Sequence, residues 1–104
     1  DHLARDIILQ GGKGVISVTA NVAPGMMHQM CAAALKGEEE KATEIDSRLA
    51  ALHKALFVET SPIPVKWALA EMGLTQPGIR LPLTPLAEEY HEEVRQALRA
   101  ADLT

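Results

Sequence analysis

Apolar residues in the first part of the chain follow a helical spacing and then a strand-like one. Leu3, Ile7 and Ile8 fall on one face of a helix, and Gly11 is a suitable end for it. The stretch GVISV, residues 14–18, is rich in β-branched side chains and apolar on both faces. That pattern is typical of a buried strand in a parallel sheet. The sequence therefore predicts a short helix, one barrel-type strand and a loop.

Two helices are predicted after this loop. Pro24 suits the first turn of a helix, and Gly37 is expected to end it. The acidic run Glu38–Glu40 suits the positive N-terminal end of the next helix, which we expect to end near Val58. Their apolar faces are formed by Met27, Met30, Cys31, Ala34 and Leu35, and by Ala42, Ile45, Leu49, Leu52 and Leu56.

The last part of the chain predicts two more helices. Pro62 and Pro64 break the pattern, because a residue that precedes proline resists the α conformation. A short helix is expected to follow and to end at Gly73. Thr84 as N-cap and Pro85 at the first helical position predict the start of the final helix. The inward positions are Val65, Ala68, Leu69 and Met72, and then Leu86, Tyr90, Val94 and Leu98.

A single strand poses a physical problem. Its N–H and C=O groups would be costly to bury without partners, and an open edge invites pairing with another chain. The sequence contains no second strand, so we expect the pairing partners to lie outside these 104 residues. The chain also does not begin with Met, which suggests a piece of something longer.

Composition excludes several classes of partner. The net charge of −4, the absence of a basic patch and an aromatic content of 3% argue against nucleic acid and anionic membrane. No apolar run approaches the length of a membrane span, and the N-terminal residues do not resemble a signal peptide. The single cysteine excludes an internal disulfide and fits a cytoplasmic location.

Three stretches of the chain resemble one enzyme family. GGKGVISVTANVAP at 11–24, LFVETSPIPVKWALAEMGL at 56–74 and RLPLTPL at 80–86 are similar to the C-terminal portion of dihydrodipicolinate synthases, which are class I aldolases related to N-acetylneuraminate lyase. The resemblance implies an α/β parent with a TIM (β/α)8 barrel. Residues 1–36 would be the end of the barrel, namely a helix, the last strand and the last barrel helix. Residues 37–104 would form a mostly α-helical C-terminal extension.

The resemblance also implies an activity for the parent. Such enzymes condense pyruvate with aspartate semialdehyde in lysine and diaminopimelate biosynthesis, through a lysine Schiff base and without a cofactor. That lysine, a proton-relaying tyrosine and a carboxylate-binding arginine would all lie upstream, so we expect no catalytic residue here and no activity from this chain alone. The main chain of Ile16 would line the pyruvate pocket. The parent would be a homo-oligomer, usually a homotetramer, with possible contacts near Leu9 and Gln10.

Two lysines are candidates for the Schiff base, and both are expected to be ordinary surface residues. A catalytic amine needs a desolvated site or a neighbouring cation to lower its pKa. Lys13 lies between glycines, before the predicted strand and at the barrel end opposite the chemistry. Lys66 lies in the first turn of a helix. The resemblance places the nucleophile elsewhere.

Other candidate residues also have plain structural interpretations. His28 and Cys31 share a helix face, but a zinc site needs at least three converging ligands, so we expect no metal. Ser17 and Thr19 could offer hydroxyls at the carboxyl end of the strand, although Ser17 is expected to bond locally. Trp67 is expected to pack between helices.

An alternative class of function is left open by the pattern. The 104 residues could be an independently folded helical oligomerisation or interaction module without catalysis. The strand would then pair with its copy in another chain, and the helical stripes would form a bundle.

Overall fold

The computed structural model of the chain describes all 104 residues, which form five α-helices and two turns of 3₁₀-helix. The architecture is entirely helical, and no β-strand is present. The molecule is elongated, 41 × 25 × 21 Å, with a radius of gyration of 14.1 Å. The elements in chain order are α1 (Ala4–Leu9), a 3₁₀ turn (Thr19–Asn21), α2 (Pro24–Leu35), α3 (Glu39–Ala55), α4 (Ile63–Glu71), a second 3₁₀ turn (Glu88–Tyr90) and α5 (His91–Ala100).

The long helix α3 is the centre of the fold. It contacts α1, α2 and α5, and its apolar stripe is fully buried at Leu49 and Leu52, as is Leu56 directly after the helix. The predicted apolar face of α3 and most of that of α2 form the core, which continues into α4 and α5. Leu35 of the predicted α2 face is an exception, because it is 54% exposed. A second, smaller cluster joins α1 to α2 and α3 through Ile8, Ala33, Ala34 and Ala42.

Four of the helices end in the same hydrogen-bonded motif. At the end of α2, the N–H of Gly37 donates to the carbonyl of Ala34 and the N–H of Glu38 donates to the carbonyl of Ala33. Gly37 has φ of +76°, the left-handed conformation that this motif requires and that glycine adopts without strain. At the end of α5 the same position is held by Asp102, with φ of +60°. The predicted helix ends at glycine are thus confirmed, and α5 uses a less suitable residue.

The expected strand at residues 14–18 is not confirmed. No main-chain N–H or C=O from Lys13 through Ser17 forms a hydrogen bond within the chain. Val15 is 39% exposed and Ile16 is 103% exposed, whereas the apolar pattern predicts burial. The physical reason is that a strand exists only through pairing, and these 104 residues offer it no partner.

The predicted start of the last helix is wrong. The local signals at Thr84 and Pro85 favour a helix, but α5 begins only at His91. Ala87 is extended, with ψ of 140°, and its N–H donates to Oε2 of Glu59 at 2.9 Å. This long-range hydrogen bond holds residues 84–87 against the body of the molecule, so the helix begins later in the chain than predicted.

Candidate functional site

The candidate site is the carboxyl end of segment 13–18. This segment connects α1 to the 3₁₀ turn that begins at Thr19. Its N-terminal part is exposed and has no main-chain partners within the chain. Its C-terminal end, by contrast, enters a buried polar network at Val18 and Thr19. One end of the segment is therefore free to pair, while the other is fixed.

The side-chain carboxylate of Asp1 holds this end of the segment. Oδ2 of Asp1 accepts the N–H of Val18 at 3.0 Å and the N–H of Thr19 at 3.1 Å. The carbonyl of Thr19 accepts the N–H groups of Val22 and Ala23, which turns the chain towards α2. The main chain of residue 19 is consequently held on both sides.

The hydroxyl of Thr19 begins a chain of polar side chains that leads into α3. Thr19 is fully buried, and its Oγ1 lies 2.9 Å from Nδ1 of His53. Nε2 of His53 lies 3.1 Å from Oδ1 of Asp46, and Oδ2 of Asp46 lies 3.9 Å from Nη1 of Arg5. The network thus connects the segment with α3 and α1.

His53 is the titratable centre of this network. Burial lowers the pKa of its imidazole, while the hydrogen bond and the negative charge of Asp46 act in the opposite direction. The charge of His2 lowers the pKa further. With the pKa below its ordinary value, the imidazole is neutral at pH 7.

The two candidate lysines lie where the sequence predicts. Lys13 and Lys66 are both exposed, and neither takes part in an ion pair. An exposed amine lacks the desolvation that would prepare it for Schiff-base chemistry. Ser17 bonds locally, as predicted, since its Oγ accepts the N–H of Ala20 at 3.0 Å.

The other candidates do not assemble into a metal centre. His28 is exposed on α2, and Cys31 is half-buried with the pKa of its thiol raised by burial. No group of three or more histidine, cysteine or acidic side chains could hold a metal ion. Glu39 and Glu40 occupy the first turn of α3, which confirms the interpretation as a helix start.

Trp67 lines a groove of about 420 Å³ between α4 and the chain that leads to α5. Its ring stacks on His91 with a centroid distance of 4.4 Å, and the guanidinium of Arg95 lies 5.3 Å from its centre. Nε of Arg95 donates to Oε1 of Glu71 at 2.7 Å, which raises the pKa of Arg95. The packing role predicted for Trp67 agrees with this arrangement.

Sequence reasoning missed His53 and Asp46 as a pair. A signal was present, because both positions fall on the otherwise apolar stripe of α3, seven residues apart. Two polar residues on a buried helix face need partners, and each of them has one here. Their connection to Thr19 spans 34 residues and could not be read from local spacing.

Comparison with known proteins identifies the family. The model of the dihydrodipicolinate synthetase family matches residues 1–101. The chain belongs to the dihydrodipicolinate synthetase family. Among curated relatives, it is 65% identical over 101 residues to the 4-hydroxy-tetrahydrodipicolinate synthase of Alkalilimnicola ehrlichii. It is 60% identical over 104 residues to the enzyme of the same name from Thioalkalivibrio sulfidiphilus.

Solved structures of the dihydrodipicolinate synthetase family show the same arrangement of helices. The chain superposes on the dihydrodipicolinate synthase of Acinetobacter baumannii, which was crystallised with pyruvate, with a TM-score of 0.96 and 51% identity. That alignment covers 99% of this chain but 35% of the other. The two curated relatives are matched over 97% and 100% of this chain, and over 35% of their own length. The chain therefore spans about a third of the relatives it matches.

Proposed function

We propose that the chain is the C-terminal third of a dihydrodipicolinate synthase-like lyase. Residues 14–18 would complete a (β/α)8 barrel as its last strand, and residues 37–104 would form the helical extension. The observation that carries this proposal is the segment itself, which is 103% exposed at Ile16 and forms no main-chain hydrogen bond from Lys13 to Ser17. In a complete barrel, the neighbouring strands would pair with these free N–H and C=O groups and cover the apolar side chains.

The reaction of the whole enzyme would be the condensation of pyruvate with aspartate semialdehyde. A lysine amine in the upstream part would attack the pyruvate carbonyl and lose water to give a Schiff base. This chain would supply scaffold and pocket wall, with the main chain of Ile16 beside the pyruvate. The exposure of Lys13 and Lys66 supports an upstream nucleophile. The crystallisation of the Acinetobacter baumannii relative with pyruvate supports the substrate.

The location and assembly of the enzyme are part of the proposal. We expect a cytoplasmic homo-oligomer, usually a tetramer in this family. Leu3, Ile7 and Leu35 are each more than half exposed, which supports a surface that is covered in the complete protein. No helix of the chain is both long and apolar enough to cross a lipid bilayer.

Borohydride trapping tests the proposed chemistry. A chimera would carry this chain in place of the matching 35% of the Acinetobacter baumannii enzyme. With pyruvate and borohydride, we expect a covalent adduct on a lysine of the upstream part, and no adduct on the 104-residue chain alone. Lys13→Arg and Lys66→Arg chimeras should give the same adduct yield. An adduct on Lys13 or Lys66 would overturn the assignment of the nucleophile.

A helical interaction module is the second candidate. The observation that favours it is the closed core of 18 buried residues, which the helices build without a barrel. In that case the exposed segment around Ile16 would pair with a second copy of the chain. Light scattering of the 104-residue chain distinguishes the two. A stable dimer that loses association with Ile16→Glu would favour the module, and a monomer would favour the enzyme fragment.

A further inference from the structure

We propose that His53 is a positioning residue, which acts through Thr19 to fix the carboxyl end of segment 13–18 at the pyruvate pocket. The placement at the pocket rests on the proposed function. The positioning itself rests on the geometry of the network formed by Asp1, Thr19, His53 and Asp46.

The positions of the protons determine which groups donate and which accept hydrogen bonds in this network. A carboxylate only accepts hydrogen bonds, so Nε2 of His53 carries a proton and donates it to Asp46. In the neutral imidazole, Nδ1 is then an acceptor, and the hydroxyl of Thr19 donates to it at 2.9 Å. The hydroxyl has one proton and cannot also donate to Asp1, whose Oδ2 lies farther away at 3.3 Å. Oδ2 of Asp1 instead accepts hydrogen bonds from the main-chain N–H groups of residues 18 and 19.

Every polar group of Thr19 therefore has its own hydrogen-bond partner. The N–H donates to Asp1, the carbonyl accepts from the turn that leads to α2, and the hydroxyl donates to His53 on α3. Ile16 lies three residues before this fixed point. If the hydroxyl bond is lost, Nδ1 of His53 becomes an unpaired acceptor whose side chain is 2% exposed. The end of the segment then loses its connection to the central helix.

The same geometry excludes direct chemistry by this group. Hydroxyl, imidazole and carboxylate in a row are the parts of a nucleophilic triad. The hydroxyl of Thr19 is fully buried, however, and no substrate could reach it. His53 and Asp46 are buried as well. The network can act on a substrate only through the main chain that it holds.

Nuclear magnetic resonance of the 104-residue chain tests the network without any activity. Nitrogen shifts at pH 7 should show the neutral His53 tautomer, with a protonated Nε2 and an unprotonated Nδ1. Amide exchange adds a matched pair of variants. In His53→Asn, the amide oxygen is an acceptor near the position of Nδ1. In His53→Gln, the amide nitrogen is a donor near the position of Nε2, and no acceptor remains at the position of Nδ1. We expect the Thr19 amide to exchange about tenfold faster in His53→Gln than in His53→Asn. The opposite tautomer, or equal exchange, would overturn the proposal.

Kinetics of the chimera test the connection to the pocket. Thr19→Val removes the hydroxyl at similar volume, and we expect kcat/KM for pyruvate to fall about tenfold or more through misplacement. Thr19→Ser should restore the value to within about threefold, because it restores the donor. Val94→Ala, a buried change on α5, is the control for general destabilisation. Equal losses in Thr19→Val and Val94→Ala would show a purely structural role and overturn the connection. If the unsubstituted chimera gives no pyruvate adduct, the proposed function fails, while the resonance data still decide the positioning role.

Discussion

Substitution of Ile16 by alanine should leave the stability of the isolated chain nearly unchanged but should destabilise the chimera with the Acinetobacter baumannii enzyme. Ile16 is 103% exposed in the isolated chain, so its side chain contributes no burial there. A surface change of this kind shifts the free energy of unfolding by less than about 0.5 kcal/mol. Buried as the last strand of a barrel, the same side chain would contribute about 1.5–3 kcal/mol from burial alone. With the cavity that the shortened side chain leaves, the loss should be about 2–5 kcal/mol.

Leu49 provides the matched control for this experiment. It is 0% exposed on α3 and belongs to the core of the chain itself, so Leu49→Ala should cost about 2–5 kcal/mol in both contexts. Urea unfolding followed by circular dichroism gives the shifts in midpoint for both variants and both contexts. A loss of 2 kcal/mol or more from Ile16→Ala in the monomeric isolated chain would refute the reasoning, as would an unchanged midpoint in the chimera.

Three further predictions test separate parts of the structure. Asp102→Gly should stabilise the chain by about 0.5–1 kcal/mol, because glycine adopts the left-handed conformation at the end of α5 without strain. Gly37→Ala should cost about 1 kcal/mol, because it puts a side chain on a left-handed residue at the end of α2. Thermal unfolding midpoints equal to that of the unsubstituted chain would contradict this. The folded-state pKa of His53 lies below its unfolded value near 6.5, so its contribution to stability is present above that pH and is lost as the pH falls through the folded pKa. Urea midpoints should therefore fall below pH 6.5 in the unsubstituted chain and fall less in His53→Asn, and parallel curves would contradict the assignment. Cys31 should react slowly with thiol reagents at pH 7, since burial raises its pKa, and a rate equal to that of free cysteine would argue against its burial.

The helices could be predicted from sequence because their signals are local. Pro24 begins α2, Gly37 ends it, and the apolar stripe of α3 repeats at helical spacing over the whole helix. The start of α5 could not be predicted in this way. The cap signal at Thr84 is also local, but the hydrogen bond from Ala87 to Glu59 spans 28 residues and overrides it.

The candidate site was less accessible to sequence reasoning than the helices. The β-branched pattern of residues 14–18 predicts a strand, but a strand needs a second segment to pair with, and the chain forms no strand there. The network around His53 joins the N-terminus, the turn at Thr19 and the middle of α3. Such contacts follow from the packing of the whole chain, and the sequence offers only the hint of polar residues on an apolar face.

Hydrogen exchange at the amides of Val15, Ile16 and Ser17 tests most directly whether this segment completes a barrel. These groups have no partner within the isolated chain, so they should exchange there at close to the rate of an unstructured peptide. In the chimera, the amides that donate to a neighbouring strand should exchange about a hundredfold more slowly or slower still. The reason is that a paired and buried amide exchanges only when the barrel around it unfolds. Equally fast exchange in the chimera would contradict the account, as would protection in the monomeric isolated chain.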